Sequence, residues 1–136
     1  MPKPSVLFIC VHNAGKSQTA EALLKHKARD TVTVFSGGTE PDEKLAADAV
    51  LALKEIGVGV EGQFPKDISD EVLRQVDHVI ILGNQAKVNA ITGMKAQIET
   101  WQIVEPKELG IQGPQRAQLI REDISARVDE LIRQIL

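Results

Sequence analysis

Aromatic side chains are scarce in this chain, with no tyrosine, one tryptophan and three phenylalanines among 136 residues. That leaves little surface on which the ring of an aromatic ligand can stack. Cysteine occurs once, at Cys10, which excludes a disulfide within the chain and fits a reducing compartment. Charge of one sign is not in large excess: the formal net charge is −3, whereas a nucleic-acid footprint needs clustered basic residues. No apolar run approaches the length of a membrane span. The start, Met1-Pro2-Lys3-Pro4, lacks the apolar core of a secretion signal, because the Ser5 to Cys10 run is short and continues into the fold. His12, His26 and His78 have no metal-ligand spacing. These absences lead us to expect a cytoplasmic protein with no metal, no tightly bound cofactor and no nucleic-acid or membrane partner.

What is present is concentrated in Ser5 to Ser17, SVLFICVHNAGKS. Val6-Leu7-Phe8-Ile9 is too short for a helix and rich in strand formers, so it reads as a strand covered on both faces. From Gln18 the apolar residues Ala20, Leu23, Leu24 and Ala28 fall at helical spacing. Cys10 to Ser17 is then a strand-to-helix loop. The first amides of a helix lack internal partners and carry partial positive charge, so such a loop cradles anions. Gly15 lets the backbone close around an oxyanion and Lys16 adds a full charge. A thiol in the same field is favoured as its nucleophilic thiolate, and Ser17 can donate a hydrogen bond to it. Val11, His12, Asn13, Ala14, Gly15, Lys16 and Ser17 are the expected oxyanion-binding set, with Cys10 as attacking nucleophile. Asn13 is expected to hold the loop's shape through side-chain to backbone bonds.

Further along, Thr31 to Phe35 reads as a second strand, ending in a Ser36-Gly37-Gly38 turn. Pro41-Asp42 opens a helix with Leu45, Ala49, Ala52, Leu53 and Ile56 inward, stopped by Gly57. A short helix from about Ser69 to Gln75 has Ser69 as its cap. His78 to Leu82 is a third strand, Gly83 to Gly93 a polar stretch with room for a short helix, and Glu99 to Ile103 the last strand. The final helix starts near Gln115 and turns Leu119, Ile120, Ile124, Val128, Leu131, Ile132 and Ile135 inward. This alternation implies an α/β protein: one three-layer domain over residues 1–136, with a parallel sheet between helices. Ligands of such folds bind beyond the carboxyl ends of the strands, where Cys10, Gly37, Gly83 and Glu105 would converge.

A cysteine, five residues, then a cation and serine after a hydrophobic strand resembles the phosphate loop of the low-molecular-weight tyrosine phosphatases and related arsenate reductases. The usual loop has arginine where this chain has Lys16, and arginine grips two oxygens with a planar fork whereas lysine is a point charge. Trp101-Gln102-Ile103-Val104-Glu105-Pro106 resembles the family's second motif, with Glu105 in place of the usual aspartate. Both departures look like the arsenate-mycothiol transferase branch. The resemblance implies four strands in the order 2-1-3-4, and an acid at Glu105 that assists the leaving group.

On that resemblance, the Cys10 thiolate attacks arsenate, Glu105 helps expel water, and an outside thiol such as mycothiol resolves the adduct. A separate redoxin then reduces the product. Thioredoxin-coupled relatives relay a disulfide through two further cysteines; with none here, the resolving group is water or an external low-molecular-weight thiol. Three other readings compete. One is a phosphatase acting on phosphotyrosine or a small phosphate ester, which the few aromatics disfavour. Another is an oxyanion-binding protein without chemistry. The third is a nucleotide loop: Cys10 to Ser17 matches G-x-x-x-x-G-K-S/T except at its first position, but Val79 to Leu82 ends in Gly83-Asn84 rather than a magnesium-binding aspartate. His12 as a base and Trp101 as a lid have bland counterparts, an outward loop residue and a core residue.

Overall fold

The computed structural model describes residues 2–136. Four strands form one parallel sheet: β1 (Ser5–Cys10), β2 (Thr33–Gly38), β3 (His78–Leu82) and β4 (Ile98–Trp101), in the spatial order β2-β1-β3-β4. The helices are α1 (Lys16–Ala28), α2 (Ala47–Lys54), α3 (Asp70–Gln75) and α4 (Gly113–Ile135). The architecture is the α/β arrangement that the alternation of the sequence predicts. β1 is central, and its alternate residues face opposite cores. Val6 and Phe8 pack with Leu23, Leu24, Leu53, Ile80, Ile124 and Val128, beneath α1, α2 and α4. Leu7 and Ile9 pack with Leu73, Val76, Val79 and Ile81, against α3. Trp101 is a core residue, its ring 5.7 Å from that of Phe8, and forms no lid. No helix among the described residues is long and apolar enough to cross a membrane.

Several boundaries differ from the sequence expectation, each for a local reason. β2 begins at Thr33, because a 3₁₀ turn over Arg29–Thr31 follows α1. It runs through Gly38, so the glycine pair is strand rather than turn, paired with Ile9 and Cys10. The helix predicted from Pro41-Asp42 starts only at Ala47, and Ile56 is left exposed beyond its end. The amides of Glu40, Asp42 and Ala46 are instead held by the carbonyls of Val11, His12 and Ala14. Residues 83–93 contain no helix, β4 closes at Trp101, and α4 opens two residues earlier than expected. Ser69 caps α3 as the sequence predicts, its side chain accepting from the Val72 amide.

The first residues of β1 and β3 are clamped by Asp77. Its Oδ2 accepts from the Ser5 amide at 2.9 Å and the Ser5 hydroxyl at 3.2 Å, and Lys95 stands 3.5 Å from its other oxygen. The Ser5 amide bond holds the carboxyl below its ordinary value, aided by the Ser5 hydroxyl and Lys95 and opposed by partial burial. A depressed carboxyl contributes stability above the usual carboxylate range and loses it as acid protonates the folded form. Asp77→Asn should therefore show a shallower fall in urea midpoint than the parent between about pH 5 and about pH 2. Superimposable curves would show that the clamp contributes nothing.

Candidate active site

The loop between β1 and α1 is shaped from both sides. Outside, the carbonyls of Cys10, Val11, His12 and Ala14 accept from the amides of Thr39, Glu40, Asp42 and Ala46, at 2.8–3.3 Å. With those carbonyls turned toward the 39–46 segment, the concave side is left to the amides at the start of α1, which have no acceptor one turn back. Gly15 is the cap position and no side chain caps the helix. Gly38 is the floor on which the loop rests: a Cβ there would lie 2.6 Å from the Val11 carbonyl oxygen and 3.0 Å from the Asn13 nitrogen. Only glycine admits that approach without moving backbone.

Inside, Asn13 is the hub. Its φ of 49° lies in the left-handed region that asparagine tolerates, and it is fully buried. Its Nδ2 donates to the Ser17 Oγ at 2.7 Å, and its Oδ1 accepts from Gln18 Nε2 and the Lys66 amide, each at 3.0 Å. The Ser17 Oγ lies 2.9 Å from the Cys10 Sγ. The Ser17 oxygen already accepts from Asn13, which leaves its own proton free to point at the sulfur. Cys10 sits at 8% exposure in the wall of a cavity of about 270 Å³, shared with Val11, His12, Gly15, Lys16 and Gly83. The Cys10 thiol thus lies between this cavity and Ser17, which is fully buried behind it. No phenylalanine, tyrosine or tryptophan lines the cavity.

The other expected residues fall into two groups. Lys16 reaches across the mouth, its Nζ beside the Cβ position of Gly83, and forms an ion pair with Glu105 just after β4. The two motifs thus meet through a bond between their charged residues. His12 turns outward, with its Nδ1 3.1 Å from the Glu40 carbonyl and 3.6 Å from Asp42. The Asn13 side chain is spent on the loop itself, and Asn13 and Ser17, both fully buried, do not line the cavity.

The sequence profile described as low molecular weight phosphotyrosine protein phosphatase matches residues 5–136. The chain belongs to that family. Within it, an arsenate reductase of Shouchella clausii is 30% identical over 132 residues, 94% of each chain. A thioredoxin-dependent arsenate reductase of Corynebacterium glutamicum superposes with a TM-score of 0.82 at 37% identity, covering 98% of this chain and 62% of that one. An arsenate reductase solved in its phosphate-binding state superposes with a TM-score of 0.81 at 27% identity, over 98% of this chain and 99% of that one.

Three residues of this family member's site escape sequence reasoning: Gln18, Lys66 and Arg116. Gln18 reads as the first residue of an ordinary helix. Its side chain instead donates to the carbonyls of Asn13 and Phe64, and accepts from Gln63. Lys66 lies behind the loop, with its Nζ 3.4 Å from the Ser36 hydroxyl and 4.8 Å from the Phe64 ring centroid. Ser36 in turn donates to Glu21 at 2.5 Å. Burial holds the Lys66 ammonium below its ordinary value, against the upward pull of Glu21 and with a further downward push from Lys25. Neither partnership has a local signal, because the segments meet only on folding. Arg116, in the first turns of α4, lines the same cavity as Cys10.

The position of Asn13 yields a direct test. Asn13→Ala strands buried donors and acceptors of Ser17, Gln18 and the Lys66 amide, and should lower unfolding free energy by about 2–4 kcal/mol. Iodoacetamide should also alkylate Cys10 more slowly at neutral pH, because Ser17 loses the bond that orients it. Unchanged stability and alkylation in urea titration and mass spectrometry would remove Asn13 from this role.

Proposed function

We propose that the protein is an arsenate reductase of the thiol-transfer type, in which Cys10 attacks arsenate held by the Cys10–Ser17 loop. The observation that carries the reading is the Cys10 sulfur, 2.9 Å from a serine hydroxyl that Asn13 has already oriented, at the edge of a cavity fit for a small tetrahedral anion. The relatives named as arsenate reductases support the choice of arsenic, and the cavity without benzene or indole rings supports a small oxyanion over an aryl ester.

In the first step a bond forms between the Cys10 sulfur and arsenic while an arsenic–oxygen bond breaks. The departing oxygen leaves as water, with its proton supplied at the mouth where Glu105 and Lys16 stand. Arsenic stays pentavalent. The 136 residues carry one cysteine, so the sulfur that displaces Cys10 from arsenic comes from outside them, and mycothiol is the proposed donor. The product is a thiol–arsenate conjugate. A separate redoxin thiol then attacks the sulfur of the conjugate: a mixed disulfide forms, the sulfur–arsenic bond breaks, and its electron pair stays on arsenic, which leaves as arsenite.

The test is product analysis with arsenate plus mycothiol, glutathione, thioredoxin or no reductant. Mycothiol should give a conjugate visible by mass spectrometry and sustain arsenite production once a mycothiol-specific redoxin is added. Cys10→Ser should lower that turnover by more than about a thousandfold. Arsenite formation sustained by thioredoxin alone would overturn the thiol-transfer reading, and steady hydrolysis of an aryl phosphate with no turnover of arsenate would overturn arsenate as substrate.

A further inference from the structure

Lys16 is the only cation the loop itself supplies, and its ammonium is already engaged by Glu105. An arsenate or phosphate entering the cavity meets a charge that is partly neutralised and that offers no planar fork. Another cation faces the same space. Arg116 lines the cavity that holds Cys10, Gly15 and Lys16. It also lines a smaller one of about 110 Å³ alongside, between Gly15, Asp48 and the start of α4.

Arg116 differs from every other arginine on its helix. Arg121 pairs with Glu55 and Glu122, Arg127 pairs with Asp123 and donates to the Gln102 carbonyl, and Arg133 pairs with Glu130. Arg116 forms no ion pair among the described residues, and its Nε is a buried donor with no acceptor. The Nε is shielded by the chain, so what Arg116 offers the cavities it lines is the rest of an unpaired guanidinium, and buried polar groups without a partner are rare in folded proteins. Two carboxylates line these spaces, Asp42 in the larger and Asp48 in the smaller. Asp42 is beside His12, and neither stands within ion-pair distance of Arg116. What the position lacks is an acceptor with two oxygens at guanidinium spacing, and a tetrahedral oxyanion provides it.

We propose that Arg116 is the oxyanion clamp of this site: its guanidinium takes two oxygens of the bound arsenate or phosphate, the fork that Lys16 cannot offer. This rests on the loop being an oxyanion site, as argued under Proposed function. It places a substrate-binding residue on α4, far in sequence from the loop.

The experiment measures how phosphate, and separately arsenate, protects Cys10 from iodoacetamide in the full chain, so it needs neither thiol nor turnover. Arg116→Met keeps the apolar stem and removes the fork, and Arg116→Lys keeps the charge. Removing one charge-assisted, two-pronged contact should raise the half-protecting concentration about ten- to a hundredfold in Arg116→Met, with a smaller rise in Arg116→Lys. Each variant's own alkylation rate without anion is the reference for its protection curve, and a parent-like urea midpoint separates a lost clamp from a disturbed fold. Protection of Arg116→Met at the parent's concentrations overturns the clamp while leaving the loop's role intact. Should Arg116→Met fail to fold, parent-like protection of Arg116→Lys overturns it equally. A parent that neither anion protects overturns the oxyanion reading of the loop, and the clamp with it.

Discussion

One buried asparagine side chain sets the geometry on which the site depends. Asn13 turns the backbone into the left-handed region at the crown of the loop and, from the same residue, ties together Ser17, Gln18 and the Lys66 amide. Each bond has a separate consequence. The one to Ser17 holds in place the hydroxyl that lies 2.9 Å from the Cys10 sulfur. The one from Gln18 fixes the first turn of α1 to the loop. The one from Lys66 brings in a segment that arrives 53 positions later in the chain. A buried network of this kind specifies one conformation because every member loses a partner if any one moves.

Charge is arranged around this neutral hub in two layers. Behind the loop, Lys66 stands near Ser36, which donates to Glu21, on the side away from the cavity. In front, Lys16 and Glu105 face each other across the mouth and join the chain after β4 to the start of α1. Cys10 lies between the two, with Ser17 as its immediate partner.

The parts of this arrangement legible in the sequence are those whose cause is local. β1 and β3 declare themselves through short runs of β-branched and apolar residues, and α3 through its serine cap. The anion loop is marked by a cysteine, a glycine and a cation between strand and helix. The start of α2 was not legible, because the force that delays it is tertiary: loop carbonyls capture the amides of Glu40, Asp42 and Ala46 before a helix can use them. Gly37 and Gly38 look like a turn but are strand, since the loop and Ile68 press so closely against them that a side chain has no room. Lys66 and Arg116 carry no pattern at all. An isolated lysine after proline, and an arginine early in an amphipathic helix, read as solvated surface until the fold sets them beside the loop.

The four bonds from the 39–46 segment to the carbonyls of the loop bear on how far the motif can travel. The letters from Cys10 to Ser17 do not act alone, because four of the loop's carbonyls are held by a neighbour in the fold. Grafted between a strand and a helix of another α/β protein, the same eight letters would bring the thiol and the ammonium but not the inward turn of the amides. Recognition of such a motif in a genome is therefore sound only when glycine stands at the end of the adjacent strand and a stretch of suitable length follows it.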